Sequence, residues 1–511
     1  MMNNRLLLSL LCIAFPYGCH SPIATIKQAC IPVDRLAAIN PDYSGIILPA
    51  TIAPLNFIVK EPGSGFAAEI SSKRGDPITI VNKKPSLRIP ENQWKKLLEL
   101  NRGEPLRITL YVREKTGRWL GFKPIHDTIA SQSIDRYVTY RTLSFLYNVS
   151  RDLRVYERDL GTFTETPLIN SNNFAWGCAN CHTPKNNDPR TFVVQTRSGN
   201  FGSSMLLSNN GAISKIGSKL GYPAWHPDGR LVAFAAYKVQ QCFHGAAKNF
   251  IDVYDNTSDI VIYDVEKGKA YAVPELFQKQ TLETWPNWSP DGRHLYFCSA
   301  PILWTDFDKA PPDNFDKVKY SLMRIAYNAA DDTWGTVDTV LSSAQTGLSI
   351  SQPRISPDGR FLLFCMHEYG GYPHTQKSSD LYLMDIATGK YRKLGINSDD
   401  SESWHGWSTD GRWILFSSKR NGGFFTRIYF SYVDSNGNAH KPFIMPQQNP
   451  CFYDSFIKSY NYPEFATGPV PFSEKKLLKT IRSPSKIEVP LPATPETPKV
   501  KARNDKPDKN E

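Results

Sequence analysis

One turn sequence recurs four times in the second half of the chain, and it limits the available folds more than any other feature. Each copy has a Pro-Asp-Gly-Arg or Thr-Asp-Gly-Arg core, with an aromatic or aliphatic residue before it and an apolar strand after it. The repeated aspartates are Asp228, Asp291, Asp358 and Asp410. Ser-Pro-Asp-Gly suits a type I turn, because proline presets φ at the second position and glycine is favoured at the last. Each copy therefore predicts a β-hairpin.

A second hairpin follows each turn, as at 259–268 and 380–389, so each repeat supplies four strands. Four-stranded units arranged radially form a β-propeller. An ordinary β-sandwich with coincidental turns is the weaker alternative, because four copies align. The sequence predicts a mainly β fold with a propeller over 201–465. The predicted propeller has five or six blades. It has six if residues near Val155 and residues 452–462 close the ring.

The first 19 residues predict a signal peptide. Arg5 precedes an apolar core of about ten residues, which is too short to span a bilayer. The core ends in Pro16-Tyr17-Gly18-Cys19, which resembles a lipobox and predicts lipid attachment at Cys19. Simple export is the alternative. In both cases we expect the mature chain outside the cytoplasm, in the periplasm or lipid-anchored at the outer membrane.

Three further segments are predicted around the propeller. Residues 30–130 alternate like strands around one short helix at 90–101, which predicts a small β-sandwich-like domain. Residues 131–200, with a helix expected near 133–149, lead into the propeller. The tail 466–511 is rich in proline and lysine and is expected to be disordered.

The chemical motif is Cys178-Ala-Asn-Cys181-His182, which is the attachment signature of c-type haem. In such sites two thiols bond the vinyl groups and the histidine binds the iron as proximal ligand. Chance would produce the motif in about 0.003 of random chains of this composition. A thioredoxin-type dithiol needs a βαβ setting, and a zinc site needs a second Cys or His pair at finger spacing. Neither is apparent, so the sequence predicts one covalent haem c.

The second iron ligand is expected among residues on one face of the propeller. Long connections at 237–258, 299–320 and 367–379 should share that face, where binding residues usually lie. The residues expected around this mouth are His244, Met366, His367, His374 and His405. The candidates for the second ligand, in order, are His405, His244 and Met366, and an open iron site is the alternative.

Composition narrows the function classes. Part of the net charge of +11 lies in the tail 466–511, which has 10 basic and 6 acidic residues, and the rest is spread along the chain with both signs mixed. No basic stripe with interleaved aromatics occurs. The sequence therefore predicts no nucleic-acid partner. It contains no nucleophile elbow, phosphate-binding loop, zinc-protease helix motif or calcium loop. This favours an electron-transfer or binding protein over an enzyme, although peroxidase-like haem chemistry stays open.

These features resemble a family of exported, Bacteroidetes-type proteins that join a TolB-like propeller to one Cys-x-x-Cys-His motif. Its members are often labelled cytochrome c biosynthesis proteins. The likeness is carried by residues 154–160, 251–264, 401–408 and 441–446. The resemblance implies a TolB-like propeller, one haem and envelope redox or scaffold partners. We therefore expect electron transfer or redox sensing at the cell envelope. The alternative is a non-enzymatic interaction scaffold with a structural or absent haem.

Overall fold

The chain builds a small N-terminal domain and then a ring of β-sheets. The computed structural model describes residues 22–144, 152–209, 211–217, 220–244, 251–484 and 486–488. Cys19 lies outside the described residues, and so does the lipid attachment expected there. Within these ranges, every helix is too short or too polar to cross a bilayer.

The N-terminal domain consists of two sheets and two helices. Its elements are α1 (Pro22–Ala29), β1 (Ile31–Leu36), β2 (Ile39–Asn40), β3 (Ile47–Leu48), β4 (Phe57–Val59), β5 (Gly65–Ser71), β6 (Ile78–Asn82), β7 (Ser86–Leu87), α2 (Glu91–Leu100), β8 (Pro105–Arg113), β9 (Trp119–Lys123) and β10 (Ile125–Ile129). Strands β2, β4 and β7 form one sheet, and the other seven form a mixed sheet. The expected short helix is confirmed as α2. Its buried Trp94 donates a hydrogen bond to the Ile52 carbonyl at 3.0 Å.

The remaining elements belong to the ring and its C-terminal extension. They are β11 (Tyr137–Ser144), β12 (Arg154–Asp159), β13 (Glu165–Asn170), β14 (Cys178–Lys185), β15 (Asp188–Ser198), β16 (Gly202–Asn209), β17 (Ala212–Gly217), β18 (Leu220–Trp225), β19 (Leu231–Phe243), β20 (Ile251–Asp264), β21 (Lys269–Ala272), β22 (Thr281–Trp288), β23 (His294–Pro301), β24 (Ser321–Asn328), β25 (Thr333–Leu341), α3 (Ser343–Thr346), β26 (Ser349–Ile355), β27 (Phe361–His367), β28 (Asp380–Asp385), β29 (Tyr391–Lys393), β30 (Glu402–Trp407), β31 (Trp413–Ser418), β32 (Arg427–Tyr432), β33 (Phe443–Ile444), α4 (Phe452–Ser455), β34 (Lys458–Ala466), α5 (Glu474–Arg482) and β35 (Ile487–Glu488). Short 3₁₀ segments cover Ser171–Phe174, Pro274–Leu276, Phe315–Lys317 and Pro373–Thr375.

The ring strands form six sheets. Sheet 1 has the order β34-β11-β12-β13, and sheet 2 contains β14 to β17 with β35 added at its outer edge. Sheets 3 to 6 each take four consecutive strands, beginning with β18, β22, β26 and β30. The innermost strands β14, β18, β22, β26, β30 and β34 contact one another in that order, and β34 contacts β14. The sheets therefore close into a β-propeller, with a C-terminal strand completing the N-terminal sheet.

The repeated turn forms the predicted hairpin. In the second copy the Gly292 amide donates to the Ser289 carbonyl at 2.9 Å, and the Asp291 carboxylate accepts from the Arg293 amide at 3.0 Å. The equivalent bond joins Gly229 to His226, Gly359 to Ser356, and Gly411 to Ser408. The strand after each turn enters the core, and β31 is buried along its whole length. The prediction of four turn-linked hairpins is confirmed.

Every innermost strand contains one β-bulge at the same place. There the register shifts against the neighbouring strand, and one non-glycine residue has a φ between 45° and 55°. We call these six the bulge residues; they are Cys181, Tyr222, Trp285, Gln352, Trp404 and Tyr462. Left-handed backbone is uncommon for non-glycine residues. Its recurrence in all six innermost strands shows that the bulge belongs to the architecture of the ring. Five of them line an axial cavity of about 20 Å³, which holds about one water molecule.

The expectation of a helix near 133–149 is wrong. Residues 137–144 form β11, which hydrogen-bonds with β12 on one side and β34 on the other. Val138 and Tyr140 are fully buried in the core. Pairing on both edges of β11 outweighs any local helical preference, because tertiary contacts routinely override propensity. Residues 145–149 lie outside the described part of the chain.

The expectation of disorder from residue 466 onward is also wrong for part of the tail. Residues 474–482 form α5, which buries Leu477, Leu478 and Ile481 against sheets 1 and 2. Its C-terminal end is fixed by Lys215, whose ammonium donates to the Ile481 carbonyl at 2.6 Å. Three apolar residues at helical spacing supply the burial that a solvated tail lacks.

Candidate functional site

The Cys-x-x-Cys-His motif lies at the beginning of β14, on an innermost strand of the propeller. Cys178 stands opposite Arg197 of β15, and Cys181 is the bulge residue of sheet 2. In a propeller all innermost strands begin at the same face of the ring. The second strand of each sheet runs in the opposite direction and ends at that face. We call that face the mouth. The motif therefore lies at the mouth, beside the central axis.

The two motif cysteines are close neighbours with different exposure. Cys181 is 1% exposed and packs among the aromatic bulge residues, whereas Cys178 is partly exposed. Both are free thiols, and they interact electrostatically with each other and with Arg197. Burial raises the pKa of the Cys181 thiol. Asn180, between them, is held by a hydrogen bond from Arg141.

Arg197 brings a positive charge to the mouth. Its guanidinium is half-buried and lies near Tyr237 and Tyr372. Within the described ranges, no carboxylate forms an ion pair with it. Tyr237 stacks on the bulge residue Tyr222 with ring centroids 5.0 Å apart. A half-buried cation without a counter-charge is costly, so this position favours an anionic group from a ligand.

His182 does not share this environment. It lines a cavity of about 30 Å³ between sheets 1 and 2, whose walls are mainly apolar. Its ring centroid is 5.6 Å from that of Tyr462, and neither ring nitrogen has a hydrogen-bond partner among the described residues. Burial lowers the pKa of His182 to about 4, so the imidazole is neutral. The cavity has room for one or two water molecules and not for a porphyrin.

The position of His182 recurs in all six sheets, directly after the bulge residue. The residues there are His182, Pro223, Pro286, Pro353, His405 and Pro463. In sheet 6 the Nε2 of His405 donates to the Leu363 carbonyl of the preceding sheet at 3.2 Å. His182 likewise points at its preceding sheet. Proline fills the position four times, and these four prolines line the axial cavity together with His405.

The other expected ligands are also engaged. Met366 is 3% exposed in the central cluster, and His367 bonds Ser351 at 2.9 Å and the Tyr369 carbonyl at 2.7 Å. His244 reaches the mouth face at the end of β19, where its Nε2 lies 2.7 Å from an Asp252 carboxylate oxygen. These contacts occupy both ring nitrogens of His367 and one of His244.

His374 lies in the long connection between β27 and β28 at the mouth. It lies on the 3₁₀ segment Pro373–Thr375, with its ring centroid 5.7 Å from Tyr372 and 5.8 Å from Trp404. Its Nδ1 is buried without a partner among the described residues. Burial, together with Lys419 and Arg141 nearby, holds the pKa of His374 well below its usual value. The imidazole is therefore neutral.

The donor groups at the mouth match the chemistry of a thioether-bound haem. Two thiols suit the vinyl groups, a neutral imidazole suits the iron, and Arg197 suits an acidic substituent. The match does not extend to His182, which faces another cavity. Among the described residues, no cluster of three or more His, Cys, Asp or Glu side chains forms a self-contained metal site.

The opposite face of the ring has a larger opening. A cavity of about 350 Å³ lies there at the turn end of the innermost strands. It is lined by Trp225, Trp288 and Trp407, and Arg354 pairs with Glu464 at its wall at 2.7 Å. Cavities of this size accept small ligands or side chains of a partner.

Comparison with known proteins finds only distant similarities. No family model matches the chain. An uncharacterized protein of Agrobacterium fabrum is 27% identical over 191 residues, which cover 32% of this chain and 59% of that protein. The chain thus spans less than two thirds of this relative's length.

Among solved structures, TolB from Acinetobacter baumannii is 13% identical with a TM-score of 0.39, over 71% of this chain and 79% of TolB. Oligogalacturonate lyase from Vibrio parahaemolyticus is 12% identical with a TM-score of 0.34, over 74% of this chain and 100% of the lyase. Likenesses this distant say nothing about activity. The closed cycle of innermost strands establishes the propeller by itself.

Proposed function

We propose that this protein is an exported monohaem c-type cytochrome that transfers electrons or senses redox state at the cell envelope. Its six sheets are the six blades of a TolB-like propeller, and its mouth carries the haem. The observation that supports the proposal is that the Cys-x-x-Cys-His motif begins an innermost strand of the propeller, where Cys178 stands opposite Arg197. Export and a lipid anchor at Cys19 rest on residues 1–19 and belong to the same proposal.

Cys178 and Cys181 would hold the haem by thioether bonds. Each thiol would add across one vinyl double bond, forming a carbon–sulfur bond and giving the thiol hydrogen to the other vinyl carbon, without net oxidation. The bound iron supplies one-electron redox chemistry. Arg197 would neutralise an acidic substituent of the porphyrin.

The small size of the axial cavity favours haem binding at the mouth rather than inside the cavity. The axial cavity of about 20 Å³ is lined by five bulge residues and has room for about one water molecule, whereas Cys178 and Arg197 are half-buried. A large flat group is therefore held by the rim residues, with one edge open to solvent. An exposed edge suits electron exchange with another envelope protein.

The test is to make the protein in a host with c-type maturation machinery and measure its mass after unfolding. We expect the mass of one haem on the wild type and on Cys451→Ala, a control at a partly exposed free cysteine. The Cys178→Ala/Cys181→Ala variant should carry none. Free motif thiols in the wild type, or a disulfide between them, would refute the proposal.

The cavity at the turn face favours a second candidate, a TolB-like scaffold for other envelope proteins. Its volume of about 350 Å³ and its tryptophan lining suit side chains of a docked partner. In that case envelope proteins cross-linked to the full chain should remain cross-linked to the Cys178→Ala/Cys181→Ala variant. Loss of every such partner in that variant would count against the scaffold function.

A further inference from the structure

A cavity of about 720 Å³ lies between the N-terminal domain and sheet 6. Asn40 and Asp42 line it on the side of the N-terminal domain, and Arg427 and Tyr429 of β32 line it on the side of the propeller. We call it the junction cavity. Sites for small molecules commonly measure about 300 to 1,000 Å³ and often lie between domains. The junction cavity therefore has room for a small organic molecule.

The two domains are held together by direct hydrogen bonds. The ammonium of Lys441, on the propeller wall of the cavity, donates to an Asp42 carboxylate oxygen at 2.7 Å and to the Ser44 carbonyl at 2.7 Å. The side chain of Asn56 donates to the Gln448 carbonyl at 3.1 Å. A ligand would therefore meet walls that are already formed, which lowers the entropic cost of binding.

The charges on the walls leave one cation uncompensated. Two of the three cations, Arg420 and Lys441, form ion pairs with carboxylates. Arg427 is 6% exposed, and in the described part of the chain no carboxylate pairs with it. Asp454, which also lines the cavity, is exposed to solvent. A buried cation without a counter-charge is costly, so Arg427 favours an anionic ligand.

The hydrogen bonds of Arg427 leave one edge of its guanidinium open. Nη1 donates to the Lys458 carbonyl at 2.5 Å, and Nη2 donates to the Phe456 carbonyl at 2.6 Å. Nε has no acceptor among the described residues, and it is not fully buried. The Nε–H lies on the same edge of the group as the second Nη2 hydrogen. This edge suits a carboxylate, which accepts two parallel bonds from a guanidinium.

Aromatic rings lie beside the same guanidinium. The ring centroids of Phe425 and Tyr453 are 5.2 Å and 5.3 Å from Cζ of Arg427, and both residues line the junction cavity. Tyr429 and Phe424 extend this aromatic wall, and Phe424 is 62% exposed. The rings offer a packing surface for the apolar body of a ligand whose charged group bonds Arg427.

We propose that the junction cavity binds a small organic carboxylate with an aromatic or apolar body, and that Arg427 receives the carboxylate. A carboxylate fits better than a phosphate, because one uncompensated cation matches one negative charge and the other two cations are already paired. None of the residues of the Cys-x-x-Cys-His motif lines this cavity. The inference therefore does not depend on the proposed haem.

The test is a ligand-observed NMR titration of the full chain with benzoate, phenylacetate and indole-3-acetate, each compared with its neutral amide. At least one acid should bind, and its amide should bind about tenfold or more weakly, because the charge-assisted bonds are lost. Arg427→Met should weaken binding of that acid by a similar factor. Arg190→Met, at an arginine whose side chain is 71% exposed, is the matched control and should bind the acid like wild type.

Equal binding of acids and amides would overturn the inference, and so would the absence of binding by all three acids or unchanged binding in a folded Arg427→Met. Stronger binding of phenyl phosphate than of phenylacetate would overturn the choice of a carboxylate. If Arg427→Met fails to fold, Phe424→Ala decides. It should weaken binding, whereas Ile457→Ala, at a side chain that is 73% exposed and outside the cavity wall, should not. Unchanged binding in Phe424→Ala would then overturn the site. The mass of the same samples tests the proposed haem separately.

Discussion

His182 and His405 occupy the same position in two sheets, directly after a left-handed bulge residue, where the other four sheets have proline. Only His405 has a hydrogen bond there among the described residues, from its Nε2 to the Leu363 carbonyl. The motif histidine thus stands where the ring tolerates a residue without a backbone N–H. The histidine of the motif therefore occupies a structural position that recurs throughout the propeller.

The first prediction follows from that equivalence. His182→Pro should leave the free energy of unfolding within about 1 kcal/mol of wild type, because four sheets already hold proline there. His405→Ala should lower it by about 1–3 kcal/mol, because the buried Leu363 carbonyl loses its side-chain donor. Urea denaturation of the haem-free chain measures both. A His182→Pro chain that does not fold would show that the positions are not equivalent.

The C-terminal helix should contribute to the stability of the ring. Leu477 is 1% exposed and packs in the cluster between sheets 1 and 2. Leu477→Ala should therefore lower the free energy of unfolding by about 2–4 kcal/mol. Lys475→Ala, on the exposed side of α5, is the matched control and should be neutral. Equal stabilities for the two variants would mean that α5 does not dock in solution.

Asp255 should make stability depend on pH. Its carboxyl is buried, one oxygen has no partner among the described residues, and burial raises its pKa to about 7. In the unfolded chain the pKa is about 3.9. The folded state therefore keeps a proton that the unfolded state releases. The free energy of unfolding should fall as pH rises from about 4 to about 7, by on the order of a few kcal/mol.

Asp255→Asn should flatten that part of the pH profile, and urea midpoints at intervals from pH 4 to pH 8 would measure it. Asp313→Asn, at a carboxylate whose side chain is 66% exposed, is the control and should reproduce the wild-type slope. A wild-type slope in Asp255→Asn would assign the pH dependence to other buried carboxyls. Asp259 and Glu283, with pKa values raised by burial to about 7 and about 8, are the next to replace.

Replacing only one partner of the ion pair between Arg354 and Glu464 should lower the free energy of unfolding. The two side chains are 22% and 8% exposed and lie 2.7 Å apart. Arg354→Met leaves the Glu464 carboxyl buried alone and should cost about 3–5 kcal/mol. The double variant Arg354→Met/Glu464→Leu should recover most of that loss. Lys309→Met, at an exposed pair with Asp313, should cost less than about 1 kcal/mol. A double-mutant cycle with no coupling would contradict this.

Part of the ring could be predicted because its signals are local. The turn at Asp291 depends on the serine, proline and glycine around it, so the sequence alone indicates a hairpin. The other two innermost strands, β14 and β34, are indicated only weakly by the sequence, because neither leads into an Asp-Gly-Arg turn. The weak sequence signals for these strands are the segments that follow their bulge residues, His182-Thr-Pro184 and Pro463-Glu-Phe465. The pattern at 133–149 predicts a helix where the structure has β11, because one of its two partner strands, β34, is far away in sequence.

The sequence by itself determined the hairpin repeat, the α2 helix and the presence of a Cys-x-x-Cys-His pentapeptide, since each depends on neighbouring residues. Only the tertiary structure decided that the pentapeptide lies on a bulged innermost strand, with Cys181 at the axis and His182 between two sheets. Closing a ring joins residues that local patterns cannot relate, because the partners of each innermost strand come from other sheets.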